Sequence, residues 1–149
     1  MIRKLAMLVV LLSIVGIVMG AVFLGLGLSK NNQLVQAMQV EQVKLPLQPE
    51  ESDEPPSLID SAAEAEAAGD LIREHRRGIA PTYQDLLGEG RYDPTNPEHL
   101  SYAQALNMEN YLYLAVIGFG LIQSVMASGV FMIITGLALG ATGVILVKV

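Results

Sequence analysis

Residues 111–147 read YLYLAVIGFGLIQSVMASGVFMIITGLALGATGVILV, and no Asp, Glu, Lys, Arg or His interrupts them. As α-helix this run is about 55 Å long at 1.5 Å per residue. A hydrocarbon core of ~30 Å needs only ~20 apolar residues. One span fits with turns to spare, whereas two spans and a connecting turn do not. The run therefore predicts one tilted transmembrane helix over 111–147, with an outer extension that packs on protein. A second uncharged run, Leu5–Leu28, predicts a first transmembrane helix. Its rival reading is a cleaved signal peptide with Val18 and Gly20 at the small positions before the cut. A signal core is only ~7–15 residues, and this run continues beyond Gly20, which favours an uncleaved anchor.

Charge is sorted along the chain. All fifteen acidic residues lie between Glu41 and Glu109. Segment 29–110 holds them together with six basic residues, leaving nine net negative charges. The remaining cations, Arg3, Lys4 and Lys148, flank the outer ends of the two runs. Lys and Arg beside span ends are retained in the cytoplasm. The expected layout is a cytoplasmic N-terminus over 1–4, a first span over 5–28, an acidic helical extracytoplasmic segment over 29–110, a second span over 111–147, and a cytoplasmic C-terminus over 148–149. The fold class that follows is an all-α membrane protein of the cell membrane. Its acidic middle argues against binding nucleic acid through bulk electrostatics. Cysteine is absent, so no disulfide staple and no thiolate metal site exists.

The middle segment carries its own signals. Ser29–Gln39 continues the first helix out of the membrane. Val40–Leu47 alternates and ends at prolines, a short extended stretch. Glu50–Ser57 (EESDEPPS) is an exposed connector. Ser61 and Glu64 have the spacing of a capping box at a helix start. The charges then run from acidic Glu64, Glu66 and Asp70 to basic Arg73, Arg76 and Arg77, complementing the helix dipole. Leu71, Ile72 and Ile79 are the expected buried contacts, and Gly78 is the expected stop. Thr82 and Asp85 open a shorter turn of helix closed by Gly88. Thr95, Pro97 and Glu98 mark a last helix start, after which no breaker appears before the second span.

Both spans carry small residues at helical spacing. Ser13, Gly16, Gly20 and Gly27 share one side of the first, with Gly16 and Gly20 as a GxxxG pair. Gly120, Ser124, Ser128, Gly136 and Gly140 recur at steps of four or eight in the second. Small residues let helix backbones approach closely where lipid offers no hydrophobic drive for association. The helix-packing candidates are therefore Gly16, Gly20, Gly120, Ser124, Ser128, Gly136 and Gly140. Gln123 is the one amide in the run and is expected against another helix or at the outer boundary.

Catalytic constellations are sparse. His75 and His99 are the only histidines, on different expected helices. Neither span contains His, which speaks against haem ligation within the membrane. No phosphate loop, nucleophile elbow or paired-His motif occurs. Neither span carries an ionisable residue that would mark a conducting path. The expectation is a chain that is not an enzyme, with no catalytic residue, no cofactor and no metal.

The stretches Ala68–His75 (AGDLIREH), Thr82-Tyr83, Leu114–Gly120 (LAVIGFG), Gly129-Val130-Phe131 and Gly136 carry a resemblance. The chain resembles, over roughly half its length, a family of small bacterial two-span membrane proteins of unknown function, of the kind seen in actinobacteria and some neighbouring phyla. Members are often labelled aromatic ring-opening dioxygenases. That chemistry needs two His and a carboxylate around ferrous iron in one pocket, so two scattered His mark the label as an error here. The resemblance supports the two-span layout and singles out Arg73, Glu74, His75 and Tyr83 as a candidate loop contact.

The function expected from these features is that of a non-catalytic accessory or scaffold subunit. Its partners are the lipid bilayer and other membrane helices, in a hetero-complex or a homo-oligomer. The alternative is an envelope sensor or ligand-binding module that uses the acidic outer loop.

Overall fold

A computed structural model describes residues 2–40 and 58–148. Of the extended stretch expected over Val40–Leu47 only Val40 is described, as the helical end of α1, and the connector over 50–57 lies outside the described residues. The order of elements is α1 (Ile2–Val40), α2 (Ala62–Ile79), α3 (Tyr83–Leu87) and α4 (Pro97–Lys148). Among the described residues every element is α-helical, and α1 and α4 are long and apolar enough to cross a membrane. α1 continues past Leu28 through the polar turns, and α4 runs from Pro97 without a break, both as the sequence predicts. Its cap is Asn96, one residue beyond the expected Thr95. The Asn96 Oδ1 accepts the Glu98 amide at 2.9 Å, and Pro97 takes the first helical position, where no amide is needed.

Contacts divide the chain into two units, Met1–Gln33 with Gly120–Val149, and Leu34–Phe119. The first is an antiparallel hairpin of α1 and α4. Its seam repeats every seven residues. Ala6, Ser13, Gly20 and Gly27 are buried on α1, and Gly129, Gly136 and Gly143 are buried on α4. A seven-residue repeat keeps two helices in register as they supercoil. The pairs are Gly20 with Gly129, Ser13 with Gly136, and Ala6 with Gly143. At the first pair the backbones themselves touch: a Cβ added at Gly20 would stand 2.6 Å from the Gly129 carbonyl oxygen. Away from the seam the hairpin shows apolar side chains outward, such as Leu11 and Phe131, which suits lipid.

The second unit packs α2 and the end of α1 on the first half of α4. Its core is small: Ile59, Ala65, Ala68, Leu112, Ala115 and Phe119, backed by Leu34, Met38 and Ile72. The buried line on α2 is Ala65, Ala68, Gly69 and Arg76, with Leu71, Ile72 and Ile79 only partly covered. Small residues win those places because α2 lies close to α4. A Cβ on Gly69 would stand 3.3 Å from the Tyr113 ring. Ser61 caps α2 by accepting the Glu64 amide at 3.3 Å, and the Glu64 carboxylate accepts the Asp60 amide at 2.9 Å. The helix passes through Gly78 and stops at Ala80. Pro81 explains the stop, since a residue before proline is driven out of the helical region, and Ala80 is extended at φ −151°, ψ 138°. Gly88 ends α3 at φ 56°, a conformation that glycine adopts without penalty.

Candidate functional site

The polar residues of the second unit gather on the contact between α2 and α4. Arg76 is the centre of one group. Its Nε donates to Glu109 Oε2 at 2.7 Å, and Nη1 donates to the Tyr102 hydroxyl. The guanidinium also lies 5.0 Å from the centre of the Tyr102 ring. Arg76 and Glu109 are nearly buried and Tyr102 is fully buried. The hydrogen bond to Glu109 holds the guanidinium more basic than an isolated arginine, against the opposing effect of burial. A buried charge is tolerated only when paired and hydrogen-bonded, and here both conditions are met.

Asp70 is the centre of a second group. Its Oδ1 accepts from Arg73 and from the Tyr113 hydroxyl, while the Arg73 guanidinium lies 5.3 Å from the Tyr113 ring centre. The Tyr113 hydrogen bond, followed by the Arg73 charge, holds the Asp70 carboxyl below the usual carboxylate range. Each group thus combines an arginine of α2, a tyrosine of α4 and one carboxylate, bridged by the arginine in the first group and by the carboxylate in the second. The arrangement ties two helices together and leaves no free base or nucleophile at its centre.

The four loop candidates are not brought together. Arg73 belongs to the Asp70 group. Glu74 and His75 are exposed on α2. Tyr83 is half exposed, with its ring 6.1 Å from that of Tyr102. The charged residue that the run AGDLIREHR buries is Arg76, one beyond the singled-out triplet. His99 stacks on Tyr92 and its Nδ1 accepts the Asp93 amide at 2.9 Å, a local turn contact. Among the described residues no three His, Cys, Asp or Glu side chains cluster as a metal site would require.

The helix-packing candidates divide. Gly20 and Gly136 lie in the hairpin seam, and Gly16 and Gly140 border it. Gly120, Ser124 and Ser128 are exposed, the two hydroxyls donating to carbonyls one turn back at 2.9 and 2.8 Å. Gln123 is exposed as well. The seam also uses Gly129 and Gly143, which the four-residue steps pass over. A seven-residue count of α4 glycines finds them. Glu109 had a signal too: it is the last charge before the apolar run and stands seven residues after Tyr102, on the same helix side.

One concavity completes the unit. A groove of about 980 Å³ opens between the end of α1, at Leu34 and Met38, and α4, at Gln104, Asn107, Tyr111 and Leu114. No charged residue lines it. Comparison of the chain with protein-family models, with curated proteins and with solved structures finds no match.

Proposed function

We propose that this chain is a non-catalytic integral membrane protein of a bacterial cell membrane that serves as an accessory or scaffold subunit. In this reading α1 and α4 both cross the bilayer, both termini are cytoplasmic, and the acidic second unit stands outside. The observation that carries the reading is how the chemistry-bearing side chains are used. Arg76, Glu109, Tyr102, Asp70, Arg73, Tyr113 and His99 are each engaged in holding one segment to another. The long helices meet through small residues and turn their apolar side chains outward, the surface that lipid and other membrane helices cover.

The test is purification of the full chain from its native membrane in mild detergent, followed by identification of what stays bound. Stable co-purification with other membrane proteins is expected. A monomer without partners in every detergent refutes the subunit reading. Cysteine placed at Arg3 or at Glu66 reports the layout, with the second but not the first labelled from outside intact cells.

A further inference from the structure

The groove beside α4 is lined by uncharged residues alone. On its α4 wall Gln104, Asn107, Tyr111 and Leu114 follow one another at steps of three, four and three. That is the spacing of a coiled-coil seam, and nothing in the chain's described residues fills it. Tyr111 is 72% exposed and Leu114 61% exposed. Elsewhere the described surface of this unit is charged and mostly acidic, with Glu66 and Glu74 on α2, Asp85 on α3 and Glu98 on α4 exposed beside Arg77 and Arg91. Among the described surfaces of a chain with net charge −6, this wall adds no charge of its own to the repulsion between two copies.

We propose that a second copy of this chain occupies the groove, α4 against α4, about a two-fold axis parallel to the helices. The inference rests on the membrane reading above. Copies inserted the same way round present identical residues at identical depth, so Asn107 meets Asn107 and Gln104 meets Gln104. An amide both donates and accepts, so each satisfies its own copy. Amides within an otherwise apolar seam set register and oligomeric state, as a buried Asn does in a parallel coiled coil. Tyr111 and Leu114 supply the apolar layers beyond them. The subunit thus enters any larger assembly as a pair.

The chain has no cysteine, so single Cys variants report this contact without background. Asn107→Cys and Leu114→Cys would be oxidised in native membranes, with Glu66→Cys on the outer side of α2 as control. Identical residues on a two-fold seam approach to within the about 4.4–6.8 Å between Cα atoms that a disulfide needs. A reducible species of twice the chain's mass is expected for both seam variants and not for the control. Adding Tyr111→Glu, at an exposed position, is expected to abolish the Asn107→Cys product. Equal dimerisation of the Glu66→Cys control overturns the inference, as does a product that survives Tyr111→Glu. Adducts with a different protein at 107 and 114 overturn the pair and leave the subunit reading standing. Monomer at every position, together with no co-purifying protein, overturns both.

Discussion

Gly20 is the place where one methyl group decides whether the hairpin closes. A Cβ there would stand 2.6 Å from the Gly129 carbonyl oxygen, 2.7 Å from Ile133 Cγ1 and 3.1 Å from the Ile133 amide nitrogen. Two of these three atoms are backbone, so no rotamer change relieves them. Non-bonded carbon contacts settle at ~3.5–4.0 Å, so Gly20→Ala must push the helices apart by roughly 1 Å. A gap of that size forfeits about a quarter to a half of each neighbouring contact. The expected cost is ~1–3 kcal/mol, the range of overpacked cores. Gly25 on the same helix has nothing within 4 Å of its added Cβ. Both substitutions gain the same helix propensity, ~1 kcal/mol, so the difference between Gly20→Ala and Gly25→Ala isolates the contact. Denaturation in mild detergent, followed by helicity, measures it. Gly136→Ala, with 2.8 and 2.9 Å contacts, should fall beside Gly20→Ala. Gly140→Ala, facing only the Ser13 side chain at 3.0 Å, should be milder, and Gly120→Ala should match Gly25→Ala. If Gly20→Ala and Gly25→Ala agree within ~0.5 kcal/mol, the ordinary scatter of surface substitutions, the close-contact seam is wrong.

Three further outcomes are expected. Arg76→Met leaves Glu109 nearly buried and unpaired, and should cost ~3 kcal/mol, while Arg76→Met with Glu109→Leu should recover most of it; a double-mutant cycle in the same detergent measures the coupling. Asp70 has a lowered carboxyl pKa, so its tie to Tyr113 and Arg73 contributes stability above the unfolded value of ~3.9 and loses it as pH falls through the folded value. The thermal midpoint of the native chain should accordingly drop toward that of Asp70→Asn in acid, and parallel curves for the two chains would contradict the assignment. Gly88→Ala, at φ 56°, ψ −124°, should cost ~1–3 kcal/mol, whereas Gly78→Ala, in the last turn of α2 with open space around it, should stabilise by up to ~1 kcal/mol; thermal melting of the two variants reads both signs.

Much of the architecture is legible in the residues because it depends on local or one-dimensional quantities. An uncharged run as long as Tyr111–Val147 reads as a long helix, since backbone groups in apolar surroundings must be satisfied within the segment. The Ser61–Glu64 box and the Pro97 start are determined within one turn of chain. The choice of helix face is different in kind. Small residues on α4 make a stripe at Gly120, Ser124, Ser128, Gly136 and Gly140, and another at Gly129, Gly136 and Gly143. Counting along α4 cannot choose between them, because the choice belongs to the partner. α1 offers Ala6, Ser13 and Gly20 seven residues apart, and only the second stripe keeps step with that spacing. Arg76 makes the same point for the polar residues. The sequence by itself shows an arginine among others near the end of a helix. Its burial follows from Glu109 and Tyr102, which lie far along the chain and reach it only once α2 has packed on α4.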